Sequence, residues 1–326
     1  MRRRAFLTAL GGAAVVRPLA ARAQQKAVLV IGYLGVGSPE PAAPNVAAFR
    51  QGLSESGYVE GKSIAIEYRW AGSRYDRLPE LAADFVGRKV DLVVAAGSAP
   101  AQAAKSTTST IPILFAGVGD PVALGLVASL ARPGGNLTGV ASLNVELTPK
   151  LLELLSEAVP QAKIIALLMN PDSPNAERII RDVQGAARAK SVQLPILKAS
   201  TESEIEAAFQ SLAPQQARGL VITADPFFNS RQDQFAALAS RHAVPAIYPY
   251  RDFATAGGLI SYGTSSRSIY HLVGSYAGRI LNGEKPADLP VQQPTAFELV
   301  INLKTAKALG LTMPQSILAR ADEVIE

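Results

Sequence analysis

No cysteine occurs in the 326 residues, which excludes a disulfide, a thiol nucleophile, an iron–sulfur cluster and any Cys-bearing zinc site. Histidine is nearly as scarce: His242 and His271 are the only two, too few for a multi-histidine metal centre. Trp70 is the single tryptophan. No apolar run is long enough to cross a bilayer. Catalytic signatures are missing too. There is no Gly-x-Ser-x-Gly elbow, no His-Glu-x-x-His and no Gly-x-x-x-x-Gly-Lys-Ser/Thr. The run Gly32-Tyr33-Leu34-Gly35-Val36-Gly37 lacks the dinucleotide-binding spacing. These absences argue against an enzyme, and neither cofactor nor metal is expected. His242, at a helix end beside Arg241, reads as a cap, and His271 as a surface or packing residue.

What is present is a chain with 48% hydrophobic and 18% charged residues, apolar enough to fold and long enough for about two domains. Its formal charge of +5 would suit an anionic partner. The location of the charge changes that reading. Residues 1–23 hold Arg2, Arg3, Arg4, Arg17 and Arg22 and no acid, so the remainder carries 27 basic and 27 acidic residues. That remainder is neutral, and no nucleic-acid partner is expected. The first 23 residues read as an export signal: a basic start, a short apolar stretch from Phe6 to Val16, and Ala21-Arg22-Ala23 at the cleavage site. Arg3-Arg4-Ala5-Phe6-Leu7 resembles a twin-arginine signal, and no Cys follows to take a lipid anchor. The expected location is the periplasm, with the signal removed near Ala23.

From Lys26 onward, strand-like and helix-like segments alternate. Ala27–Leu34 is a near-continuous apolar run, as expected of a parallel strand covered on both faces. Ile64–Tyr68, Asp91–Ala96, Ile113–Ala116 and Leu137–Val140 read as further strands, with helices between them beginning near Pro79, Pro100 and Pro121. The pattern then repeats. Lys163–Met169, Val192–Leu197, Leu220–Thr223, Ala246–Tyr248 and Leu259–Tyr262 read as strands among helical stripes such as Ile205, Ala208, Phe209 and Leu212. The fold class is therefore α/β, in two units of similar size. Ile269–Leu281 reads as one more helix, Phe297–Ile301 as a strand and Lys304–Leu309 as a short helix; an element here can return to the first sheet.

Candidate binding residues stand at the carboxyl ends of strands, where open parallel sheets bind ligands. In the first unit these are Gly37 and Ser38, then Gly97, Ser98 and Ala99, then Gly119 and Asp120. Small residues there allow close backbone approach, and the N–H groups of Ser98 and Ala99, at a helix start, suit a carboxylate. The second unit offers Asn170, Asp225 and Tyr248. A carboxylate facing a cleft could pair with a ligand ammonium, and rings could stack on a planar group. The competing roles are a helix N-cap for Asp225 and core packing for Phe227 and Phe228. Trp70, after the second strand, could equally shield the lobe surface.

The segments IGYLGVGSPEPAAPNVAAFRQGLSESGYVEGKSIAIEYRWA, IPILFAGVGDPVALGLVASLARPGGNLTGV, ADPFF, RHAVPAIY and FELVINLKTAKALGL resemble ABC transporter substrate-binding proteins of the tryptophan/tyrosine-binding-like family. The similarity runs over essentially the whole chain after the signal. It implies a type I periplasmic-binding-protein fold, with two Rossmann-like lobes of parallel sheet, three crossovers and a ligand clamped between the lobes. On that basis residues 26–141 and 266–289 form the N-terminal lobe, and 142–265 and 290–326 the C-terminal lobe. The crossovers fall near Ser142, itself a candidate ligand contact, Ser265 and Pro290. The implied role is a monomeric receptor that hands a small organic solute, an amino acid or related carboxylate, to an ABC permease. A receptor serving a membrane signalling partner, or an enzyme on the same fold, is the alternative.

Overall fold

The computed structural model describes residues 28–326; the export signal expected over residues 1–23 lies outside them. The first lobe is built from β1 (Leu29–Gly35), α1 (Pro39–Glu55), β2 (Ile64–Trp70), α2 (Leu78–Arg88), β3 (Leu92–Ala96), α3 (Ser98–Thr107), β4 (Ile113–Val118) and β5 (Leu137–Ala141). Its five strands are parallel in the order β2-β1-β3-β4-β5. Side chains alternate across this sheet, as the strand period of two requires. Leu114 and Ala116 face one core, with Val46, Phe49 and Leu53 of α1, while Ile113 and Phe115 face the other, with Phe85, Ala101 and Ala104.

The second lobe follows with α4 (Thr148–Ala158), β6 (Ala166–Met169), α5 (Ala176–Ala189), β7 (Ile196–Lys198), α6 (Glu202–Leu212), β8 (Leu220–Ile222), α7 (Pro226–Asn229), α8 (Gln232–Arg241), β9 (Ala246–Tyr248), α9 (Arg251–Thr255) and β10 (Ile260–Thr264). Helix α6 starts where the sequence supplies a capping box: the Thr201 hydroxyl accepts from the Glu204 N–H, and the Glu204 carboxylate accepts from the Thr201 N–H. Next come α10 (Ser266–Leu281), β11 (Phe297–Asn302), α11 (Leu303–Ala308), α12 (Gln315–Leu318) and β12 (Glu323–Ile325). The second sheet runs β12-β11-β10-β9-β8-β6-β7. It is mixed and not wholly parallel as expected, because β11 pairs antiparallel with β10, Ile260 opposite Ile301.

The returning element is α10. It leaves the second sheet at Ser265, packs along α1 and buries Ile269, Val273, Ala277 and Ile280 in the first lobe's core. What returns is therefore a helix over the sheet, extended at the edge by residues that pair with β5. The Ala141 N–H donates to the Gln292 carbonyl at 2.7 Å, and the Val291 N–H to the Leu130 carbonyl at 2.7 Å. Val291 and Gln292 thus stay with the first lobe, beyond the crossover expected at Pro290, and the chain passes to β11 across residues 293–296. The other two passages follow Ala141 and Thr264. Asn144 ties them together: its Oδ1 accepts from the Thr264 N–H at 2.9 Å and hydroxyl at 3.0 Å, and its Nδ2 donates to the Pro249 carbonyl at 3.3 Å.

One expected element is missing. No helix begins at Pro121. The Asp120 carboxylate accepts from the Ala123 N–H three residues on at 2.9 Å, as a helix cap would, but Gly125 bends the chain through positive φ before a helix can propagate.

Candidate functional site

Both sheets reverse their strand order beside the first strand of the lobe, at β1/β3 and at β6/β8, which opens a crevice at the carboxyl ends of those strands. The two crevices face each other across a cavity of about 410 Å³, within the range of ligand pockets.

One end of the cavity is aromatic. Tyr33 of β1 and Trp70 of β2 have ring centroids 5.4 Å apart, Tyr68 lies 5.5 Å from Tyr33, and Tyr270 of α10 adds a further ring to the lining. Gly35 makes this possible. It pairs with Trp70 in the sheet, and the indole lies where a Gly35 Cβ would stand. Burial pushes the Tyr270 hydroxyl up to about 12 and holds the Tyr33 hydroxyl well above its ordinary value, so both rings stay neutral at physiological pH.

The other end is polar. Ser98 and Ala99 open α3 behind Gly97, whose φ of 111° only glycine adopts freely, and no side chain caps this helix start. The Ser98 hydroxyl accepts from Asn175 Nδ2 at 3.2 Å, across the cleft. Asp225 faces in from the second lobe, with only 2% of its surface exposed. Its Oδ1 accepts from the Phe227 N–H at 2.9 Å, the Phe228 N–H at 3.4 Å and Asn170 Nδ2 at 3.1 Å; its Oδ2 accepts from the Tyr75 hydroxyl at 2.8 Å. Asp225 is therefore the N-cap of α7, with one acceptor direction left on Oδ2. Burial raises its carboxyl above the ordinary aspartate value, outweighing the four hydrogen bonds that pull the other way.

Of the residues expected from sequence, Gly37, Ser38, Gly97, Ser98, Ala99, Gly119, Ser142 and Asp225 line this cavity. Three do not. Tyr248 is the last residue of β9 and points into the second lobe's core, its ring stacked on Phe253 with centroids 4.8 Å apart. Two residues on, past the strand end, Tyr250 takes the place expected of it. Asn170 is buried behind Asp225 and positions it. Asp120 turns outward to Arg178, 2.7 Å away. The glycines also do a different job from the one expected. A Cβ on Gly37 would stand 3.3 Å from Ser230, on Gly97 3.1 Å from Pro226, and on Gly119 2.6 Å from Val145. Their small size lets the second lobe approach.

The lobes thus touch around the cavity, through Tyr75–Asp225 and Ser98–Asn175, through Arg231 donating to Ser73 at 3.2 Å, and through Asp120–Arg178. Tyr75 packs against cores of both lobes. Sequence reasoning missed Tyr75, Asn175 and Tyr270, which face the cavity from outside the strand ends it singled out. Burying Tyr248 leaves its hydroxyl without a partner. Tyr248→Phe is therefore expected to be stabilising by about 1 kcal/mol, since the substitution removes an unpaired buried polar group. Chemical denaturation checks this; a loss of stability would mean that the hydroxyl is bonded.

Among the described residues no helix is long and apolar enough to cross a membrane, and no group of three His, Asp or Glu is placed to hold a metal ion. His242 ends α8, and His271 bridges α10 to Glu55 of α1 at 2.9 Å.

Comparison with known proteins shows the family. The family model described as ABC transporter substrate binding protein matches residues 41–325. A tyrosine-binding protein of Clostridioides difficile is 30% identical over 264 residues, covering 81% of this chain and 75% of that protein. An ABC domain from Streptococcus pneumonia, solved in complex with L-Trp, superposes with a TM-score of 0.81 at 25% identity, covering 90% of this chain and all of that one. The ligand-free, open structure of a substrate-binding protein from Clostridium difficile gives a TM-score of 0.63 at 27% identity, covering 91% and 99%.

Proposed function

The chain belongs to the ABC transporter substrate-binding protein family, with its two-lobed type I periplasmic-binding fold, and from that premise we propose that it is an exported receptor that clamps a small amine-bearing carboxylate, an aromatic amino acid by preference, and delivers it to an ABC permease. The family is one of binding proteins and not of enzymes. One observation carries the ligand reading: a single interlobe cavity joins an aromatic cluster to an uncapped helix start and a buried carboxylate. In this reading the ring lies on Tyr33, Trp70 and Tyr270, and the carboxylate meets the N–H groups of Ser98 and Ala99. Ser38 of the first lobe and Ser142 at the first crossover complete the site, and the ammonium takes the open direction on Asp225 Oδ2. The tyrosine-binding and L-Trp-bound relatives support this class of ligand. Export by the twin-arginine signal over residues 1–23, action as a monomer and handover to a permease belong to the same proposal.

Asp225→Asn separates charge from structure, because asparagine caps a helix as well as aspartate does. Isothermal titration with L-tryptophan and L-tyrosine is expected to show at least about tenfold weaker binding to the variant, the loss of one charge-assisted contact. Wild-type affinity is also expected to fall on acidification, at a pH above 3.8, the ordinary aspartate value. The sign follows from the ligand: an ammonium favours ionised Asp225, so protonating the carboxyl weakens binding. Asp225→Asn is expected to lack this dependence. Equal affinities for wild type and variant would remove Asp225 from the ligand site.

A further inference from the structure

Arg178, in the first turn of α5, faces three carboxylates: Asp120 at 2.7 Å, Glu146 at 3.3 Å and Asp182 at 3.7 Å. Asp120 belongs to the first lobe, while Glu146 follows the first crossover and Asp182 lies on α5, both in the second. None of these four residues lines the ligand cavity, although Gly119, Val145 and Asn175 beside them do. Arg178 is thus an ion-pair bridge between lobes at the cleft's edge.

The local structure presents Asp120 to this contact. Its backbone sits at φ 36°, which few residues other than glycine, asparagine and aspartate adopt, and the Ala123 N–H occupies Oδ1, leaving Oδ2 for Arg178. Glu146 competes with it. Its Oε1 faces the same guanidinium, its Oε2 is buried without a partner, and its charge repels Asp120.

Accepting that the cleft is a receptor site that opens and closes, we propose that Arg178 is a positioning residue that sets ligand affinity by holding the closed form through Asp120, and that Glu146 weakens this hold. The pair touches no ligand; it acts by adding free energy to the closed state alone. Two isosteric substitutions then have opposite signs. Asp120→Asn keeps an acceptor for the Ala123 N–H and removes the interlobe charge. Glu146→Gln removes the competitor and the repulsion, leaving Asp120 as the nearest partner of Arg178. A merely structural role would give both variants the same sign.

The Cys-free chain makes the test direct. Spin labels at Gln51→Cys on α1 and Gln184→Cys on α5, both exposed, report the interlobe distance by pulsed electron resonance without added ligand. Asp120→Asn is expected to reduce the closed-to-open ratio by about fivefold, and Glu146→Gln to raise it by a similar factor. The double variant is expected to behave as Asp120→Asn alone. Shifts of the same sign, an unchanged distribution in either single variant, or a wild type with no closed member would overturn the proposal. Titration with L-tryptophan and L-tyrosine runs in parallel. If neither binds, the aromatic amino-acid reading fails, while the distance distributions still decide the latch.

Discussion

Gly274→Ala is expected to destabilise the protein by about 3 kcal/mol, the upper part of the range for forcing an atom into a packed core. The reason is the crossing of α10 on α1. Gly274 stands against the backbone of α1, where an added Cβ would overlap the Phe49 carbonyl oxygen, and Gly52 stands likewise against the His271 carbonyl of α10. No rotamer relieves such an overlap, because both partners are backbone; the helices have to separate. That loosens Ile269, Val273, Ala277 and Ile280 from Phe49 and Leu53, and it moves Tyr270 away from the cavity. Gly87→Ala is the matched control. Gly87 lies in α2 with no atom within 4 Å of an added Cβ, so the same change is expected to stabilise by roughly 0.5 to 1 kcal/mol. Urea denaturation of both variants checks the pair. Equal stabilities would contradict the close helix crossing that holds α10 on the first lobe.

Trp70→Ala is expected to weaken binding of an aromatic amino acid by roughly thirtyfold, on the order of 2 kcal/mol, as removal of a buried aromatic anchor does elsewhere. The indole is the centre of the aromatic end, beside Tyr33 and parallel to Tyr68, and it covers Gly35. Its loss leaves the ring of a ligand without one of its faces and admits water there. Trp70→Phe keeps a ring and is expected to recover most of the affinity. Calorimetric titration with L-tryptophan measures both. A Trp70→Ala variant that binds as wild type would place the ring elsewhere.

The sequence carried the two-lobe α/β plan because buried parallel strands are continuous apolar runs: Ala27–Leu34 and Lys163–Met169 announce themselves. It also carried the strand-end loops, since Gly-Ser and Asp-Pro have few uses between a strand and a helix. What it could not carry was direction. Tyr248 and Tyr250 are two residues apart, one ending β9 and the other just past it, and the end of β9 alone decides which enters the core. Asp120 and Asn170 stand at the expected strand ends, but each has a partner distant in sequence, Arg178 and Asp225, that only the folded chain brings near. The aromatic end is assembled from residues 33, 70 and 270, so no local window contains it. The second alternative for Asp225, a helix cap, was as legible as the first, and the structure gives it that role while leaving it on the cavity wall.

The central claim is that the interlobe cavity holds a small amine-bearing carboxylate with its ring on Trp70. Native mass spectrometry of the protein, purified without denaturation, tests it most directly. The prediction is one bound molecule of roughly a few hundred daltons per chain, in keeping with the cavity size, released on denaturation and depleted in Trp70→Ala. A wild type that takes up no such molecule even after incubation with L-tryptophan and L-tyrosine, or a Trp70→Ala variant that retains it in full, would contradict the account.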